Sequence, residues 1–156
     1  MNILVSRCLL GEPCRYDGAS KPVEKIRQLE KRGHILIPVC PEVEGGLPTP
    51  RPPAEIQKDE RVVNRLGMDV TEQYQAGACR ALELARAYGC TAAILKEKSP
   101  SCGNGQIYDG SCTGTLIAGQ GITARLLTQH GICVLGESNF HKLFAEQEPT
   151  EKTFGK

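Results

Sequence analysis

The sequence predicts an α/β sandwich built on a largely parallel sheet. Four short apolar runs recur along the chain: Ile3-Leu4-Val5, Ile35-Leu36-Ile37, Ala92-Ala93-Ile94-Leu95 and Ile132-Cys133-Val134-Leu135. Their apolarity is continuous rather than alternating, as in strands covered on both faces. Segments of helical character separate them, and this β-α-β-α-β-α-β-α order builds parallel sheets through crossover helices. At 156 residues the chain is long enough for one domain with a real core. Residues 1–156 therefore read as a single Rossmann-like or flavodoxin-like domain, with a short C-terminal tail from about 147.

Each element has its own local justification. After the first run, Pro22 suits the first turn of a helix that sets Val23, Ile26 and Leu29 on one side and stops at Gly33. The second run leads into a long connection, from Cys40 to about Val70, in which Pro48, Pro50, Pro52 and Pro53 stiffen the backbone. Thr71 is placed to cap a clearer helix with the apolar face Tyr74, Ala78, Ala81, Leu82, Ala85 and Tyr88, ended by Gly89. Behind the third run lies a second long connection, from Ser99 to about Gly121, with a hairpin turn expected at Tyr108-Asp109-Gly110. Thr123 to His130 reads as a shorter helix with Leu126 and Leu127 facing in. After the fourth run, Ser138 is placed to cap a last helix carrying Phe140, Leu143 and Phe144.

Charge excludes one class of function. The 19 Lys plus Arg and 18 Asp plus Glu leave a net charge of +1, so no global field draws the chain to duplex nucleic acid or an anionic membrane. Ile3 to Val5 is too short for a signal-peptide core, and no run approaches the roughly 20 apolar residues that span a bilayer. The expected location is cytoplasmic, where thiols stay reduced and cysteines serve metal binding or catalysis more than structural bridges.

The chain carries 8 cysteines, and their positions are informative. Cys8, Cys40 and Cys102 each follow the apolar core of a strand. In an open parallel sheet the loops leaving the carboxyl ends of the strands gather on one edge, where ligands bind. The three are thus expected to meet in space. None belongs to a CxxC pair of the zinc-ribbon or thioredoxin type. Single cysteines from three separate strand ends suit an iron–sulfur cluster, which spans more room than one zinc ion. Cys79 in the helix, Cys90 before the third run and Cys133 within the fourth read as small core hydrophobes. Cys14 and Cys112 fall on the loop side and are left open, Cys14, six residues past Cys8, as a candidate fourth ligand.

Other residues divide in the same way. Glu42, two residues after Cys40 in a proline-bounded turn, is a candidate catalytic carboxylate, while Glu44 reads as solvated. His34, His130 and His141 sit at element ends and are read as surface or capping groups. The proline run Leu47 to Pro53 reads as a rigid wall of the site in preference to a docking ligand. Gly119-Gln120-Gly121 lacks both the third glycine of a dinucleotide fingerprint and the lysine of a P-loop.

At these same residues the sequence resembles a known family. Ser6-Arg7-Cys8-Leu9-Leu10-Gly11, Cys14-Arg15-Tyr16-Asp17-Gly18, Cys40-Pro41-Glu42-Val43, Gly45-Gly46-Leu47-Pro48-Thr49-Pro50-Arg51-Pro52-Pro53 and Lys98-Ser99-Pro100-Ser101-Cys102-Gly103 look like the bacterial thiouracil desulfidases. The likeness continues through Tyr108-Asp109-Gly110 and Gly114-Thr115 to Gly121-Ile122-Thr123-Ala124. The resemblance implies a small α/β protein holding a 4Fe-4S cluster on Cys8, Cys40 and Cys102, with the fourth iron open to a thiolated base such as 2-thiouracil or 4-thiouracil. Sulfur would leave as hydrosulfide by non-redox Lewis-acid chemistry, yielding uracil. On that reading Glu42 is the general acid/base, Ser101 orients base or water with Ser99 as its competitor, and Asp17 and Lys98 contact substrate. Cys112 stands where a bulky apolar residue is expected after the hairpin turn. Two alternatives remain open at this point: a zinc or iron–sulfur structural module without turnover, and a persulfide sulfur-transfer enzyme working through one reactive cysteine.

Overall fold

The computed structural model describes residues 1–144, so the tail expected from about 147 lies outside the described residues. Strand β1 (Asn2–Ser6) runs into a 3-10 turn at Arg7–Leu10, which Gly11 closes in the left-handed region. Helix α1 (Glu24–Arg27) continues as a 3-10 segment to Arg32, and Gly33, with φ +93°, stops it as expected. Strand β2 (Ile35–Val39) and the one-turn helix α2 (Pro41–Glu44) follow. The long connection then folds into an antiparallel hairpin of β3 (Ala54–Ile56) and β4 (Val62–Asn64) before α3 (Thr71–Ala87). Strand β5 (Ala92–Leu95) leads to a second antiparallel hairpin, β6 (Asn104–Tyr108) and β7 (Leu116–Gln120), then α4 (Ile122–Gln129) and β8 (Cys133–Gly136). The segment after Ser138 is a 3-10 turn, Phe140–Phe144.

The four apolar runs form one parallel sheet in the order β2-β1-β5-β8. From β1 the chain moves to β2 on one side, then crosses to β5 on the other. The strand order therefore reverses at β1, and the crevice beyond its carboxyl end is where open α/β sheets bind ligands.

Both faces of the sheet are covered. Leu4, Val39, Ala93 and Leu95 pack with Ala81, Ala85 and Leu127 of α3 and α4 on one side. Ile3, Val5 and Ile94 pack with Leu9, Ile26 and Leu29 on the other. A third cluster joins the two hairpins to the start of α3 through Ile56, Val62, Tyr74 and Ile107.

Several local expectations are corrected. Thr71 does not cap α3: its amide and hydroxyl both donate to Asp69 Oδ1, at 2.9 and 2.6 Å, so Asp69 satisfies the helix start. Tyr88 falls just past the helix and its ring is exposed. Cys79 is exposed because it sits beside, and outside, the stripe of Tyr74, Ala78, Ala81, Leu82 and Ala85 that faces the sheet. Cys133 is exposed because β8 is an edge strand. Only Cys90 of that trio is buried. The expected turn at Asp109-Gly110 opens a wider connection, closed by the Asp109 amide donating to the Thr115 carbonyl at 2.9 Å.

Candidate active site

The carboxyl ends of β1, β2 and β5 each deliver one buried cysteine to a common cavity of about 380 Å³. Cys8 arrives on the 3-10 turn after β1, which is anchored by burial of Leu9. Cys40 is the residue before α2, where Pro41 fixes the first helical turn with its ready-set φ. That short helix is seated backbone to backbone on α3: a Cβ on Gly77 would collide with the Pro41 carbonyl, and one on Gly45 with the carbonyl of Gln73. Cys102 sits in the loop after β5, whose fold is set by Ser99 Oγ accepting the amides of Ser101 and Cys102 at 3.0 and 3.1 Å.

Cys14 is a fourth buried thiol on the cavity wall, and the exposed Cys112 stands at its rim. Cys40 Sγ donates to the Cys14 carbonyl at 3.7 Å. The Cys14 thiol lies beside those of both Cys40 and Cys8. A hydrogen bond with the Cys14 side chain, then burial, pushes the Cys40 thiol far above the ordinary range. Burial pushes Cys102 up to about 12, against the pull of the Ser6 hydroxyl. Among the described residues no three His, Cys, Asp or Glu side chains converge as ligands of a single ion would. The buried thiols of Cys8, Cys14, Cys40 and Cys102 line one cavity.

Glu42 forms part of the same wall and is firmly held. Arg51 Nε donates to its Oε1 at 2.7 Å, and Ser99 Oγ to its Oε2 at 3.3 Å. Arg51 is itself buried in the proline run, with Nη1 donating to the Pro48 carbonyl and to Thr49 Oγ1, both at 3.1 Å, and Nη2 to the Cys14 carbonyl at 3.1 Å. Burial opposes the guanidinium charge, but Glu42 outweighs it and holds the arginine above its usual range. Burial and then the Glu42 charge push the phenol of Tyr74, on the same wall, far up.

Of the residues singled out from sequence, Cys8, Cys40, Cys102, Glu42, Ser99 and Lys98 line one cavity. Lys98 takes the left-handed region, φ +69°. Ser101 does not line the cavity; it is buried behind it, 2.8 Å from Thr123 Oγ1, and its carbonyl accepts the amides that start α4. Asp17 is also outside the cavity, its carboxylate accepting the Ala19 amide at 3.0 Å in an exposed turn. His34 meets the chain's amino terminus and His130 meets Arg86, both at the surface. Arg51, Tyr74 and Ser6 are members of the site that sequence reasoning passed over. For Arg51 the signal was there: it is the one charged residue inside the proline run.

The chain is similar to known proteins over most of its length. The uncharacterized protein YbbK of Bacillus subtilis is 44% identical, over 90% of this chain and 99% of that one. A solved structure described as the [4Fe-4S]-dependent thiouracil desulfidase TudS superposes with a TM-score of 0.88 at 48% identity, covering 94% of this chain and 97% of that one. The family model that matches residues 3–139 is described as 2-thiouracil desulfurase.

Proposed function

This chain belongs to the 2-thiouracil desulfurase family, and from that premise we propose that it releases sulfur from 2-thiouracil or 4-thiouracil, giving uracil and hydrosulfide, with a [4Fe-4S] cluster on Cys8, Cys40 and Cys102. The observation that carries this reading is three buried thiols, from three strand ends, around one cavity that also holds an anchored carboxylate. The donor set fits the group: it is all thiol, as such clusters require, and it lines one cavity of about 380 Å³. Cys8, Cys40 and Cys102 would hold the cluster, which would supply thiophilic Lewis acidity toward a thiocarbonyl without net redox change.

The rest of the chemistry falls to the chain. Water attacking the ring carbon must lose a proton, and the departing group must gain one; Glu42 is the general acid/base for both. Arg51 fixes Glu42 Oε1, which leaves Oε2, beside Ser99, as the oxygen available for proton transfer. Ser99 and Lys98 are the proposed substrate contacts. Ser101 acts at one remove, holding the cysteine-bearing loop to α4 through Thr123. Asp17, outside the cavity, is left out of the contact set.

The proposed substrate is a small thiolated base met in the cytoplasm. No helix among the described residues is long and apolar enough to cross a membrane. Anaerobic reconstitution with iron and sulfide, then assay of hydrosulfide from both thiouracils, tests the reading. Brown protein with acid-labile sulfide and turnover supports it. Colourless protein with one zinc per chain would make it a structural module, and activity in iron-free protein would point to persulfide chemistry.

A further inference from the structure

Ser6 is a buried hydroxyl that the chemistry above leaves unused. It ends β1, at the reversal of strand order, lines the cavity and is 3% exposed. Its hydrogen bonds have a fixed direction. The Lys96 amide, in the chain leaving β5, donates to Ser6 Oγ at 2.9 Å. An amide nitrogen can only donate, so the serine oxygen is the acceptor there and its single proton is free for another partner. That partner is Cys102 Sγ, at 3.5 Å in buried surroundings. Two elements neighbouring in the sheet thus cooperate to aim one O–H at one sulfur.

We propose that Ser6 is a positioning residue that sets the electron demand of the metal centre through Cys102. The inference rests on the cluster assignment above. A hydrogen bond to a ligand sulfur draws charge away from the iron, which favours the more electron-rich state and raises the reduction potential. For a reaction without net redox change the same withdrawal has another use: it makes the open iron a stronger acceptor for the thiocarbonyl sulfur. Ser6 would then tune Lewis acidity without touching substrate.

The test uses reconstituted holoprotein, with iron and sulfide content and the midpoint potential from an EPR-monitored redox titration as readouts. Ser6→Ala with full iron and sulfide is expected to shift to lower potential and to lose kcat with KM little changed, and Ser6→Thr, which keeps the hydroxyl, to restore the wild-type potential. An unchanged potential in fully loaded Ser6→Ala overturns the proposal, as does a Ser6→Thr potential displaced as far as that of Ser6→Ala. Where Ser6→Ala takes up no iron, Ser6→Thr decides alone, a wild-type potential supporting the proposal and a displaced one overturning it. A wild-type protein that takes up no cluster defeats the assignment itself, which is a separate outcome from a loaded protein whose potential ignores Ser6.

Discussion

Glu42 and Arg51 form the most consequential pair in the molecule, with side chains only 12% and 5% exposed. Glu42→Gln keeps an oxygen for Arg51 and removes the proton acceptor, so iron content should be unchanged while kcat falls by about 100-fold or more in a hydrosulfide assay. Arg51→Ala is different in kind. It strands a carboxylate and the buried Cys14 carbonyl, and a chemical denaturation series should show a loss of roughly 3–5 kcal/mol. Cys8→Ala, Cys40→Ala and Cys102→Ala should each abolish iron retention, whereas Cys79→Ala and Cys133→Ala should retain it; iron analysis after desalting separates the groups. The cysteines at strand ends were legible because a strand's exit is marked by where its apolar run stops. The exposure of Cys79 and Cys133 was not, since one residue's offset on a helix and a strand's rank in the sheet both depend on tertiary packing. Arg51 carried a signal, a lone charge inside the proline run, but its burial against the distant Cys14 carbonyl depends on tertiary packing in the same way.

At the scale of elements, the four core strands and α3 were readable because buried strands and amphipathic helices leave a period in the sequence. Of the two hairpins inside the long connections, that of β6 and β7 was anticipated by its turn at Tyr108-Asp109-Gly110 and that of β3 and β4 was not. Strands β3 and β4 have three residues each, too few for any period to register. These hairpins meet over the cavity, where Glu55 Oε1 of β3 accepts the amides of Gly110 and Cys112 at 2.9 and 3.2 Å. Glu55→Ala should therefore loosen the rim, raising KM several-fold with a smaller effect on melting temperature. The contact of α2 with α3 is less forgiving. Gly77→Ala forces the helices apart at the Pro41 carbonyl, and a cost of about 1–3 kcal/mol is expected, with Cys40 and Glu42 displaced together. A combined fall in melting temperature, iron retention and kcat checks it.

On the scale of the whole molecule, the reversal of strand order at β1 explains why residues as distant as 8, 40 and 102 share one cavity. A ligand bound only by the folded state stabilises it, so the iron-loaded protein should melt above the iron-free protein in calorimetry, and chelation should erase the difference. The cysteines themselves have a double membership: Cys8, Cys14 and Cys40 belong to one hydrophobic cluster of the sheet and Cys102 to the other. As thiols they are ordinary greasy filling for those cores. The chain is therefore expected to fold without metal, unlike a zinc finger. Iron-free protein should unfold in a single cooperative transition in calorimetry, as a receptacle built before its contents.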